Sequence, residues 1–241
     1  MNTKRHLPRR AQLFITAVLL GGGAAIASRI PQITRWSSKD LLAWAGLALA
    51  VAVAEQFLIP LRHGTERQLF SLTDALWVAG LLLTRASVLT ASVAAGVLIG
   101  QAVRRLPLYK VAFNAAQYVL AVSAAEVIHT ALHAPALPAT MAWVDAGIAM
   151  AAYFAVNAGL VAAVISLVQR RSPVPVLLAP LGFNLLNWAG NVGVGLMASL
   201  LWTTNKAGLP ILVAPAVLTF LAYRAWVQGL ELRQGAAVIA S

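Results

Sequence analysis

A bundle of helices solvated by lipid is the fold class this sequence predicts, and three observations predict it. Hydrophobic residues make up 60% of the 241 and charged residues only 10%, against roughly 25% charged in an ordinary soluble domain. The apolar residues gather into runs close to the ~20 residues a spanning helix needs. Between the runs lie short joints that hold proline and most of the Lys and Arg, where cations orient helices and meet anionic headgroups. The net charge of +11 is therefore assigned to the lipid bilayer as partner, and no nucleic-acid partner is expected. The chain has no cysteine, which excludes disulfides and thiolate metal sites.

Eight transmembrane segments follow, an all-α polytopic bundle. The first, 11–28, has a basic start and the run QLFITAVLLGGG. Its rival reading is a signal peptide cut after Ala25-Ile26-Ala27, with a faint twin-arginine pattern at Arg9-Arg10, which would leave seven segments. An uncleaved helix is preferred. The second, 41–60, ends in Glu55 and Gln56. The third and fourth, 69–84 and 87–103, are short and separated by Arg85, so they read as two spans or as a tilted or re-entrant hairpin. The fifth, 111–133, is long enough to span yet carries Asn114, Gln117, Glu126, His129 and His133. The sixth, seventh and eighth are 141–168, 181–203 and 208–227. One membrane domain thus covers 1–241, with a basic N-terminus at 1–10, helices over 11–227 and a short tail at 228–241.

Orientation follows from the cations. Lys4, Arg5, Arg9, Arg10, Arg62, Arg67, Arg104, Arg105, Lys110, Arg170, Arg171, Arg224 and Arg233 fall on one side, and Arg29, Arg35, Lys39, Arg85 and Lys206 on the other. This places the protein in a bacterial inner (plasma) membrane, multi-pass, with both termini cytoplasmic.

An internal echo links two of these segments. Phe113-Asn114-Ala115-Ala116-Gln117-Tyr118 has the order of Phe183-Asn184-Leu185-Leu186-Asn187-Trp188, and Ala152-Tyr153-Phe154-Ala155 with Gly159-Leu160 has that of Ala222-Tyr223-Arg224-Ala225 with Gly229-Leu230. The expectation is a parallel repeat of segments five and six onto seven and eight.

On this topology Asn114, Gln117, Asn184 and Asn187 lie at similar depth near the cytoplasmic boundary, each pair on one helical face. Asn191 extends the stripe on segment seven, among Gly190, Gly193 and Gly195, which would admit a close neighbour. Glu55 and Gln56 end segment two on the same side, and Ser71, Thr73 and Asp74 begin segment three there. Intramembrane ionisable groups cost ~2.5–3.5 kcal/mol near a helix centre on insertion scales and normally face protein or water. Two readings stay open. The cluster is either a ligand or ion site made of Glu55, Asp74, Asn114, Gln117, Asn184 and Asn187, joined by Asn157 of segment six, or interhelical glue worth ~0.6 kcal/mol per bond. Asp74 would then serve only to stabilise a helix N-terminus.

Glu126, His129 and His133 share one face toward the outer end of segment five. Carboxylate and imidazoles suit a divalent transition metal, with Asp145 as a fourth ligand. Alternatives are a pH-sensitive histidine pair or hydrated interfacial residues beside Ala134 to Pro138. No cofactor is required by the sequence. Phosphate-loop and nucleophile-elbow patterns are absent, Gly21-Gly22-Gly23 lying inside an apolar run, so the chain is not expected to be an enzyme.

Phe70-Ser71-Leu72-Thr73-Asp74-Ala75, Arg104-Arg105 followed by Phe113-Asn114-Ala115-Ala116-Gln117, Tyr153-Phe154-Ala155-Val156-Asn157-Ala158-Gly159-Leu160-Val161, and Ala222-Tyr223-Arg224-Ala225-Trp226 together resemble a known membrane region. It is the multi-spanning N-terminal sensor region of bacterial cyclic-di-GMP signalling proteins, which precedes GGDEF or HD-GYP output domains. The resemblance covers about two thirds of the chain. It implies a sensor-type module that binds a small ligand or ion, and the chain departs from the family in reaching Ser241 with no catalytic domain, as a free-standing relative, a sensor working through a separate partner or a truncated reading frame would. Such a module would act on a cytoplasmic signalling partner or as a homodimer, through an exit helix at Tyr223 to Arg233. The alternative is the substrate-binding membrane subunit of a vitamin-type importer, for which Ala17, Gly21 and Ala25 offer small-residue contacts.

Overall fold

The structure, a computed structural model, describes residues 7–57, 59–63, 66–70, 72–132, 139–214, 217 and 221; the side chains of 59–63, 66–70 and 139–141 lie outside that description. The helices are α1 (Arg9–Ala27), α2 (Ile30–Ile33), α3 (Ser38–Ala54), α4 (Thr73–Leu83), α5 (Ala86–Val103), α6 (Leu108–Leu132), α7 (Ala139–Gln169), α8 (Pro173–Leu178) and α9 (Leu181–Thr204). Strands β1 (Ile59–His63) and β2 (Glu66–Phe70) form an antiparallel hairpin between α3 and α4, in register from Ile59 opposite Phe70 to His63 opposite Glu66. Five stretches are long and apolar enough to cross a membrane: Arg9–Ile33, Ala86–Val103, Leu108–Leu132, Ala142–Gln169 and Leu181–Thr204.

Five of the predicted segments fall on those stretches, and two differ instructively. The second stops as a helix at Ala54 instead of residue 60. Pro60 has no N–H and pushes the residue before it into extended backbone, and the chain enters β1 there. The third begins only at Thr73 and has 11 residues, so at ~1.5 Å per residue it is roughly 16 Å long, half of a ~30 Å hydrocarbon core. Its partner α5 has 18 residues, enough for a full crossing. Of the eighth segment only 208–214, 217 and 221 are described, and the tail 228–241, the exit helix and the second cluster of the echo lie outside the described residues. The parallel repeat therefore rests on sequence alone.

Local chemistry explains the helix ends. A capping box opens α3: the Ser37 hydroxyl accepts from the Asp40 N–H at 3.3 Å while the Asp40 carboxylate accepts from the Ser37 N–H at 2.9 Å, satisfying two orphan donors of the first turn. At the other end of the molecule α5 and α7 are each followed by a pair of arginines, and Arg105 and Arg170 both take φ of 55°. That is the left-handed conformation that terminates helices, and cations there face the negative helix end.

Helix directions come from residue pairs along the interfaces. Along α1 and α6, Gly22 meets Ala116, Gly21 meets Leu120 and Arg29 reaches Glu126, so the two helices are parallel. Along α3 and α5, the Trp36 indole donates to the Ser87 hydroxyl at 3.0 Å, the Ser92 hydroxyl donates to the Trp44 carbonyl at 3.2 Å, and the Gln56 amide donates to the Gly100 carbonyl at 3.0 Å. This pair is parallel too, and very close. A Cβ on Gly96 would stand 2.6 Å from Val51, and one on Gly100 2.6 Å from the Cβ of Glu55. Small residues four apart let backbones approach in this way.

The core lies where α4, α5, α6 and α7 meet, around Trp77, Leu89, Val93, Val97, Val119, Val122, Met150 and Tyr153. Ile15 and Val18 of α1 join Phe113 and Ala116 in a second cluster. Because α4 is short and joins α5 at the end of the bundle that holds Arg29 and Arg85, its N-terminus stops about halfway through. Thr73 and Asp74 are left near mid-depth, deeper than the sequence reading placed them.

Candidate functional site

The half-length of α4 leaves space below its N-terminus, and polar side chains surround that space. A cavity of about 330 Å³ is lined by Glu55, Asp74, Asn114, Gln117, Asn157, Asn184 and Asn187, the seven candidate binding residues, supplied by the end of α3 and by α4, α6, α7 and α9. Gln101, Arg104 and Tyr118 complete the polar part of the lining. Leu106, Phe154, Val161, Ala162, Ile165, Val176 and Leu177 form an apolar wall.

Two chains of hydrogen bonds hold the polar part. In the first, the Asn114 amide donates to the Gln101 carbonyl oxygen at 2.8 Å and the Gln101 amide donates to Glu55 Oε2 at 3.2 Å. Arg104 Nη1 lies 3.7 Å from that same oxygen. Glu55 is 1% exposed, so this cation and amide are what offset the cost of its burial. In the second chain the Trp77 indole donates to the Tyr153 hydroxyl at 3.0 Å, and the hydroxyl donates to Asp74 Oδ1 at 2.8 Å. Because the indole can only donate, the Tyr153 hydrogen is directed at the carboxylate. Across the cavity Gln117 donates its amide to Asn157 Oδ1.

On α9 the roles divide. Asn191 is buried and donates to both the main-chain and side-chain oxygens of Asn187, which orients Asn187 toward the cavity instead of adding to the lining. Among the described residues nothing hydrogen-bonds the Asn184 carboxamide, which lines the cavity directly. Of the three glycines predicted to admit a neighbour, Gly195 does so: its Cβ position lies 2.6 Å from the Ala75 carbonyl and from Val78, whereas Gly190 and Gly193 have nothing within 4 Å among the described residues. Thr73 is buried, and Ser71 lies outside the described residues.

The Glu126 constellation is arranged otherwise. Glu126 is 3% exposed; Arg29 Nη2 lies 2.5 Å from its Oε2, and the Thr90 hydroxyl donates to its Oε1 at 2.9 Å. Both oxygens are engaged by protein, with Arg29 on one and Thr90 on the other. His133 lies outside the described residues. Among the described residues no group of three His, Cys, Asp or Glu is gathered to hold a metal ion.

Sequence reasoning missed Gln101, Arg104, Tyr118 and Tyr153 as site residues. Gln101 gave a signal, a carboxamide at the end of an apolar run next to Gly100. Tyr153 gave none, since a tyrosine in an apolar helix reads as core until Asp74 is placed beside it.

A comparison with known protein families, characterised proteins and solved structures finds no match to this chain.

Proposed function

We propose that this chain is a multi-pass protein of a bacterial inner (plasma) membrane whose helix bundle binds a small molecule, a sensor-type module with both termini cytoplasmic. Membrane residence is supported by five helices long and apolar enough to cross. The orientation is supported by Arg9, Arg10, Arg104, Arg105, Lys110, Arg170 and Arg171 gathering at one end of the bundle, the cytoplasmic end under the positive-inside rule. The sensor role extends the resemblance of these segments to membrane sensor regions.

One observation carries the binding reading. Seven polar residues from five parts of the chain converge on one space of about 330 Å³, within the ~300–1,000 Å³ of small-molecule sites, and Asn184 presents its carboxamide there. Amides that served only as glue would close on one another and leave no such space. A ligand bridging α4, α7 and α9 would favour one packing of the half-length α4 over others, which is how occupancy becomes a signal.

The test is thermal stabilisation of the purified chain in nanodiscs by pooled polar metabolites. A ligand at 100 times its Kd adds about 2.7 kcal/mol. Asn114→Leu combined with Asn184→Leu is expected to remove that gain while leaving unliganded stability close to wild type. Full stabilisation retained by the double variant would sink the binding site.

A further inference from the structure

The charges around the cavity do not balance, and the imbalance points to a ligand class. Its ionisable lining consists of Glu55, Asp74 and Arg104 together with the tyrosine hydroxyl of Tyr118. Arg104 is committed to Glu55 at 3.7 Å, and the Gln101 amide supports the same carboxylate. Among the described residues Asp74 receives the Tyr153 hydroxyl at 2.8 Å and no other side chain, and no Lys, Arg or His pairs with it. It stands in the first turn of α4, where the partial positive charge of a helix N-terminus favours a carboxylate without neutralising it. A carboxylate held this way at membrane depth gains from any cation that enters the cavity.

The surroundings say which kind of cation. Tyr118 and Phe154 present aromatic rings to the space, Tyr118 itself packing on Trp77 with ring centroids 6.0 Å apart. Aromatic faces attract ammonium groups, quaternary ones included. Val161, Ile165 and Leu177 offer hydrocarbon contact, of no use to an inorganic ion that needs six or so oxygens. We propose that the ligand is a small organic ammonium ion, its cationic group on the Asp74 carboxylate and against the Tyr118 and Phe154 rings, its carbon skeleton along the α7–α8 wall. The inference rests on the binding-cavity reading above and narrows it.

The experiment titrates the full chain, in nanodiscs of phosphatidylglycerol, with choline, its uncharged tert-butyl isostere and the corresponding tert-butyl carboxylate. Choline is expected to bind about tenfold or more tightly than the neutral isostere, the scale of a charge-assisted contact. Asp74→Asn is expected to erase that preference, and Phe154→Leu to weaken choline about threefold more than the neutral isostere. The comparison of isosteres on wild-type protein stands even if a variant fails to fold. Equal or tighter binding of the neutral or anionic isostere, abolished by Asn114→Leu with Asn184→Leu, overturns the ammonium assignment and leaves the cavity as a binding site. Saturable binding of none of the three at millimolar concentration overturns both. Repeating the titration in phosphatidylethanolamine separates the sources: weaker apparent choline affinity there marks a lipid headgroup as the natural occupant, and unchanged affinity marks a free solute.

Discussion

The two ends of this bundle use the same kinds of side chain to opposite effect. Toward the end that holds Arg29 and Arg85, Arg29, Thr90 and Glu126 close on one another, both carboxylate oxygens taken at 2.5 and 2.9 Å. Toward the basic end Glu55, Asp74 and six carboxamides are spread around about 330 Å³ of space, with one carboxylate matched by a cation and the other not. Buried polar groups fully satisfied by protein fix a structure, whereas groups left partly satisfied around a void are available to something else. The physical cause of the difference is the length of α4. A full-length helix at that position would fill the space its N-terminus leaves open.

Breaking the Arg29–Glu126 cluster gives the largest expected effect. Arg29→Met leaves Glu126 buried and without its cation, a loss of about 3–5 kcal/mol, measured by reversible unfolding in mixed micelles, with ligand binding at the cavity unchanged. A small loss there would mean that Arg29 is not what compensates Glu126. Next comes the α3–α5 contact that carries Glu55. Gly100→Leu forces a side chain into a space where even a Cβ meets that of Glu55 at 2.6 Å, costing about 1–3 kcal/mol, and it displaces Glu55 from Gln101. Stability and ligand binding should fall together. Gly193→Leu, where nothing among the described residues lies within 4 Å, is the control, with a change within about 0.5 kcal/mol.

How much of this could be read from sequence follows the range of the interactions. The apolar runs and the helices they form were legible because hydrophobic length is a local property; α5 and α6 fall within a few residues of expectation. The membership of the cavity lining was legible because Asn114, Gln117, Asn184 and Asn187 are conspicuous in apolar surroundings and the positive-inside pattern set them at one end. Pairing was not legible. That Glu126 pairs with Arg29, far away in sequence, has no signature in either segment. Asp74 looked like a boundary residue because the hairpin β1–β2, which shortens α4 and lifts its N-terminus to mid-depth, has no apolar-run signature. Gly96 and Gly100 carry the close α3–α5 contact, yet in sequence they resemble Gly190 and Gly193, which have nothing within 4 Å among the described residues.

Within the cavity the expected effects on stability are smaller, because the space can admit water or ligand to groups that lose a partner. Tyr153→Phe removes the donor to Asp74 and the acceptor for the Trp77 indole. Asp74 faces the cavity and can be resolvated there, whereas the Trp77 indole is fully buried, so the net loss expected is that of one buried orphan, about 1–3 kcal/mol, with a parallel loss of cation binding. A loss as large as that of Arg29→Met would show that the cavity is dry and as tightly coupled as the Arg29–Glu126 cluster.

Asp74→Asn should change stability least and sharpen the comparison most. The asparagine carbonyl oxygen can still accept from Tyr153, and among the described residues no cation is stranded by the change, so the variant should unfold within about 0.5 kcal/mol of wild type. Replacing Glu126 by Gln, by contrast, strands Arg29, which is only partly exposed, and should cost more than Asp74→Asn in the same measurement. Equal losses for the two substitutions would mean that Asp74 has a cationic partner within the protein, and the asymmetry between the two ends would vanish. If instead Asp74→Asn is nearly silent in unfolding but abolishes cation binding, the carboxylate is held in place by the fold and serves a charge that the fold does not contain.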